Sequence, residues 1–264
     1  MPTSTHPNLP TISVVTPSFN QAKFIRATVD SVLSQHYPHL EYWVIDGGST
    51  DGTVDILKSY GKELHWLSEP DHGQTDAINK GFTHCTGDIL AFLNSDDLYL
   101  PGTLQRVGEY FAAHKQAQWL TGDYEIIDGS GARLASHSIV SSYKSFLLRH
   151  YRPALLRLTN SIIPQPSTFW TRSAYEAVGE LDESLRYCMD YDLWLRLAKK
   201  FPLHYLPVSL SAFRRHQDSK SETATKKQFT EELAVLKTHG GNHFELAVHQ
   251  IHSLLTLSAY GFLK

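Results

Sequence analysis

Over its first hundred residues the chain alternates between two hydrophobic periods, and that alternation constrains the fold more than any other feature. "TISVVTPSF" is a short β-branched run stopped by Pro17, the pattern of a buried strand. From Gln21 to His36, the residues Ile25, Val29, Val32 and Leu33 recur at helical spacing and make one apolar face. "EYWVID" predicts a second strand, Thr53 to Tyr60 a helix, and "LHWLSEP" a third strand. "GQTDAINKGF" predicts a helix with Ala77, Ile78 and Phe82 inward, and "DILAFL" a fourth strand. Such alternation predicts an α/β fold, a Rossmann-like, mainly parallel central sheet flanked by helices.

Sheets of this kind bind ligands outside the carboxyl ends of their strands. Here those ends carry Thr16-Pro17-Ser18, Asp46, Ser68-Glu69 and Asn94-Ser95-Asp96-Asp97. Polar chemistry therefore converges on one edge. The second half is organised differently. "QWLTGDYEIIDGSGARLA" resembles a hairpin turning at 128–131, and residues 143–163 mix leucines with Lys144, Arg149, Arg152 and Arg157. That basic segment fits either an acceptor lid resting on an anionic membrane or a packed helix pair broken at Pro153. "MDYDLWLRLAKKF" predicts an amphipathic helix, and the tail after Thr225 one or two helices separated by Gly240-Gly241.

Composition removes several classes of function. A length of 264 residues suits one large domain or one with a small appendage. A net charge of −3 gives no reason to expect nucleic acid as a partner. Cys85 and Cys188 are far apart, which suits a reduced, cytoplasmic protein and no thiolate metal site. The first ten residues lack the apolar stretch of a signal peptide, and no apolar run approaches the roughly 20 residues of a membrane span.

Four strings carry chemistry, each with a plainer alternative. In "WVIDGGSTDGT", Asp51 suits a helix cap, whereas Asp46 at the strand mouth can accept from a base N–H or a ribose hydroxyl. The first turn, "TPSFNQA", has no glycine, so the dinucleotide fingerprint is absent. In "SEPDHGQTDAINKG", Asp76 and Lys80 have the spacing of a helical ion pair. "NSDD" could cap a helix, but hard cations bind through one or two carboxylates plus phosphate oxygens and water. In "MDYDLWLRL", Asp192 stands four residues before Arg196, an ion-pair spacing, and that reading suits Asp190 less well. Arg214, Arg215 and His216 make either a solvated basic loop or a phosphate contact.

With these strings in order, residues 11–220 resemble family 2 glycosyltransferases, the large inverting group with the GT-A fold. "SVVTPSFNQAKFIRATVDSVLSQHYPHLEYWVIDGGSTDGT" is similar to the family's nucleotide-binding opening, "GDILAFLNSDDLYLPGTL" to its DxD region, and "GELDESLRYCMDYDLWLRLA" to the segment with the catalytic base. The resemblance implies a donor site of Pro17, Ser18, Asn20, Asp46, Gly48, Glu69, Asp76, Lys80, Asn94, Ser95, Asp96, Arg214 and Arg215. It implies Mn2+ or Mg2+ at Asp96, with Asp97 and His216 as further ligands, and Asp190 as base. Gln165, Trp170 and Asp192 would face the acceptor, Trp170 as a sugar-stacking platform. Two positions depart from the family pattern: Met189 precedes the base where an acid is usual, and Asn94 replaces the first DxD acid.

The organisation implied is a flexible N-terminus (1–10), a nucleotide-sugar-binding half (11–122), an acceptor and catalytic-base half (123–224) and C-terminal helices (225–264). The implied reaction moves a sugar from a nucleotide-diphosphate donor, a UDP-sugar first, to a saccharide or lipid-linked acceptor. The setting implied is bacterial cell-surface polysaccharide or glycolipid synthesis, in the cytoplasm or at the inner membrane face. A non-catalytic sugar-nucleotide-binding protein and a nucleotidyltransferase are the alternatives. Neither the donor sugar nor the oligomeric state is legible in these residues.

Overall fold

A computed structural model describes residues 9–134, 138–159, 161–217 and 224–262. Most of the segment expected to be flexible, 1–8, lies outside the described residues. The β-branched run forms β1 (Ile12–Ser18), buried throughout, and pairs in parallel with β2 (Leu40–Asp46) and β4 (Ile89–Phe92). β3 (His65–Ser68) joins β2 in parallel. Between these strands run α1 (Ile25–Leu33), α2 (Thr53–Lys58) and α3 (Gln74–His84), where the periodicity predicted helices.

Further on come β5 (Leu98–Tyr99), α4 (Thr103–Ala113), β6 (Trp119–Ile127), α5 (Ser138–Arg149), α6 (Pro153–Leu158) and β7 (Thr168–Thr171). The chain then makes α7 (Arg172–Val178), α8 (Met189–Lys200), β8 (Leu203–Arg214), α9 (Thr225–Thr238) and α10 (His243–Phe262). All eight strands lie in one sheet, in the order β3-β2-β1-β4-β7-β6-β8-β5. β7 and β5 enter it antiparallel, while β6 and β8 run parallel to each other.

The hairpin expected around residues 128–131 is corrected. The turn exists, with Asp128 Oδ1 accepting from the Ser130 and Ala132 amides, but its return arm is one isolated bridge between Ile127 and Arg133. β6 begins with four buried residues and needs partners on both edges, which β7 and β8 supply. Within 143–163 the described residues contain a helix pair, broken at Pro153 and packed through buried Leu148 and Leu156.

The core lies on both faces of the sheet. Ile12 and Val14 face α1 and α4, while Val15 faces α3 in a second cluster that includes Leu193, Trp194 and Leu197 of α8. At Gly81 the helix α3 comes so near β1 that a Cβ would stand 2.4 Å from Val15 Cγ1. Among the described residues no helix is long and apolar enough to cross a membrane.

Candidate active site

The carboxyl ends of the parallel strands line up in register, with Ser18 beside Asp46 and Asp46 beside Ser68. Asp46 is fully buried. Its Oδ1 accepts from Ser49 Oγ at 2.5 Å, and its Oδ2 accepts from the Gly48 and Ser49 amides and from Ser68 Oγ. This corrects its expected contact with a base: the carboxylate folds the 47–49 loop over the sheet edge and is spent on it. Gly48 takes φ +82° in that loop, and Asn20 fastens it by accepting from the Thr50 amide. Gly47 lets the Asp71 carboxylate approach to a distance where a Cβ would meet Oδ2 at 2.6 Å.

In front of this edge opens a cleft of about 1420 Å³, lined from both halves of the chain. Of the expected donor residues it takes in Pro17, Ser18, Asp76, Asn94, Ser95, Asp96, Arg214 and Arg215. Asn20, Asp46, Gly48, Glu69 and Lys80 are not in its wall. Lys80 instead bridges Glu69 and Asp76, at 3.3 Å from each. Burial alone would raise the Asp76 carboxyl, but the His72 amide and then Lys80 outweigh it and hold the group below its ordinary value.

The Asn94–Asp97 turn follows β4 and is met by Arg214, the last residue of β8. Asp97 is fully buried, with Oδ1 accepting from the Arg214 amide at 2.8 Å and Oδ2 facing Asn94 Nδ2 at 3.3 Å. Burial, and then the nearby charge of Asp96, push its carboxyl well above the ordinary range. This corrects its assignment as a metal ligand, since the side chain points into the protein and braces the turn. Arg214 is committed to the same turn, its Nε donating to the Asp96 carbonyl at 2.7 Å.

Asp96 does reach the cleft, and its Oδ2 lies 3.0 Å from His216 Nε2. His216 packs on the Phe24 ring at 4.5 Å. One carboxylate beside one imidazole offers a divalent ion two ligands, of which the carboxylate suits Mn2+ or Mg2+ alike. No group of three or more acidic, His or Cys side chains suited to a metal occurs among the described residues. Such an ion would complete its shell with donor phosphates and water.

Across the cleft, Asp190 stands in the first turn of α8, half-buried in the wall. Burial pushes its carboxyl up to about 7; the Tyr191 amide, donating to Oδ1, works against this, and the Glu232 charge adds to it. Gln165 lines the cleft, donating from Nε2 to the Phe92 carbonyl. Trp170 does not: it is fully buried against Phe82, Phe92 and Trp194, so the expected sugar platform is corrected to a core residue. Asp192 is corrected likewise. It accepts from His239 Nε2 at 2.7 Å and pairs with Arg196 at 2.8 Å, away from the cleft.

Sequence reading missed Gln74, Tyr124, Lys144, Glu232 and His252, all in the cleft wall. Glu232 and His252 come from the tail, where a polar residue on an amphipathic helix gives no signal that tells it from a solvated one.

A model of the family described as glycosyl transferase family 2 matches residues 13–179. The chain is 32% identical over 223 residues to a Bacillus subtilis glycosyltransferase named for teichuronic acid biosynthesis, TuaG, covering 82% of this chain and 84% of that one. A Rickettsia felis protein named as a glycosyltransferase is 26% identical over 216 residues, and this chain spans 35% of its length. Among solved structures, S. aureus TarS 1–349 in complex with UDP-GlcNAc matches with a TM-score of 0.64 at 16% identity, over 87% of this chain and 66% of that one. The mannosyltransferase PcManGT from Pyrobaculum calidifontis, in complex with GDP-Man and Mn2+, matches at 0.66 and 16%, over 95% of this chain and 76% of that one. At such identities the likeness is one of fold, and the fold is that of the GT-A glycosyltransferases.

Proposed function

From the premise that the chain belongs to glycosyl transferase family 2, we propose that it is an inverting transferase. It moves a sugar from a nucleoside-diphosphate donor, a UDP-sugar in the first instance, to a hydroxyl of a saccharide or lipid-linked acceptor in cell-surface polysaccharide synthesis. The observation that carries the reading is Asp190, a carboxyl held near neutrality across one cleft from Asp96, His216 and Arg215. The donor would lie along the strand-end wall from Pro17 to Asp96, its diphosphate toward Arg215 and the Asp96–His216 pair. A divalent ion at that pair would neutralise the departing diphosphate.

On the facing wall, the acceptor hydroxyl attacks the anomeric carbon as the bond to the diphosphate oxygen breaks. Its proton passes to Asp190 Oδ. One displacement inverts the anomeric centre, and a base so placed is worth about 10²–10⁴-fold. Asp190 must be ionised to accept the proton, so kcat/KM rises with pH through about 7 and is level above it.

One comparison of three proteins tests this. Asp190→Asn should lose transfer by about 10²–10⁴-fold while binding donor as tightly as the native chain by calorimetry. Asp96→Ala should lose the part of donor affinity that manganese adds. Native transfer by Asp190→Asn would remove the base assignment, and unchanged manganese dependence in Asp96→Ala the metal assignment.

A further inference from the structure

The turn that carries Asp190 is held by a helix from far along the chain. α8 has no side-chain cap at its N-terminus, where Cys188 is the N-cap, although the first amides of a helix need partners. Glu231 of α9 supplies one for the segment leading in. Its carboxylate accepts from the amides of Arg186, Tyr187 and Cys188 at 3.1, 2.6 and 2.8 Å. Cys188 Sγ also donates to the Gln228 carbonyl. A negative charge at this end of α8 agrees with the helix dipole.

The next residue, Glu232, is buried and shares the cleft wall with Asp190. Its Oε1 accepts from Gln228 Nε2 at 3.2 Å, and its Oε2 lies 3.6 Å from Nε2 of buried His249 on α10. A buried carboxylate is costly where packing alone is required. Val235 and Leu236, one turn on, already supply the apolar contact of α9 with the core. Two adjacent acids turned toward one catalytic turn need another reason.

We propose that Glu231 and Glu232 are positioning residues for Asp190: Glu231 fixes the backbone from which Asp190 projects, and Glu232 sets the charge that Asp190 faces. The tail helices are then part of the catalytic centre. The inference deepens the transferase reading and rests on it for the role of Asp190 as base. Glu232 of α9, Lys144 of α5 and His252 of α10 share the cleft wall with Asp190, Cys188 precedes it at the start of α8, and His249 of α10 lies beside Glu232. Glu232 opposes ionisation of Asp190 and Lys144 favours it, so that acid and the lysine tune the base in opposite senses.

The test is read on the whole chain without any sugar. In a 13C-aspartate-labelled protein, the Asp190 carboxyl is identified as the resonance lost in Asp190→Asn and is titrated by NMR. Glu232→Gln should move its titration down by roughly one unit. Glu231→Ala should speed amide hydrogen exchange at residues 186–188 by about tenfold or more, with Glu231→Asp partly restoring protection. If Glu232→Gln does not fold, Glu232→Asp takes its place and should move the titration the same way by less. An unmoved titration in the folded variant overturns the role of Glu232, and unchanged exchange overturns that of Glu231. A native chain that transfers no sugar overturns the transferase reading alone, because neither readout depends on it.

Discussion

Asn94 sits among three partners that only an amide satisfies together. Its Oδ1 accepts from Gln74 Nε2 at 2.7 Å, while its Nδ2 faces Asp97 Oδ2 and Gln165 Oε1, each at 3.3 Å. An acid here would keep the first contact, lose both donors, and place a second carboxylate against buried Asp97. The missing first acid of the DxD pattern is thereby explained: the position belongs to a hydrogen-bond relay between the donor wall and Gln165. Asn94→Asp should lower stability by roughly 1–3 kcal/mol at pH 8, read from urea unfolding. The deficit should shrink on acidification, as the introduced carboxyl takes up a proton. Equal midpoints at pH 8 would remove this account.

Within the elements, the same close packing that fixes the site limits what they tolerate. Ala favours a helix over Gly by about 1 kcal/mol, yet at Gly81 it would strike Val15, and overpacking costs about 1–3 kcal/mol. α3 cannot retreat without moving Gln74 and Asp76 off the cleft. Gly81→Ala should therefore be destabilising on balance, by up to about 2 kcal/mol in urea unfolding, and a more stable variant would show that α3 can shift. β1 to β4 and α1 to α3 were legible because each announces its own period, whereas the two residues of β5 are too few to show one. β8 was not, because its half-buried first seven residues show no clean alternation. Trp170 misled because β7 is only four residues long, and its central place between β4 and β6 is a fact of topology. The spacing to Arg196 already separated Asp192 from Asp190 in the sequence, and two residues along a helix turn a side chain by about 200°, so one meets the cleft and the other Arg196.

At the scale of the whole molecule, exposed apolar side chains gather on two helices. Among the described residues, Tyr143 and Phe146 of α5 and Phe244, Ile251, Leu254 and Leu255 of α10 are exposed, and Phe19 is the remaining large one. Tyr143 and His252 join the two helices at 3.1 Å, and Arg149 and Arg152 lie exposed nearby in sequence. This surface suits peripheral contact with an anionic membrane, the setting in which a lipid-linked acceptor would be found. The chain should sediment with phosphatidylglycerol vesicles, and Phe146→Ser with Leu254→Ser should release it. No binding by the native chain would end that reading. The reach of Glu231 also has a consequence in time. The amide of Cys188 and the carboxylate that holds it are 43 residues apart, and a ribosome adds them in that order at about 5–20 residues per second. Each newly made copy thus passes through seconds in which the turn that carries its base has been made and the carboxylate that seats it has not.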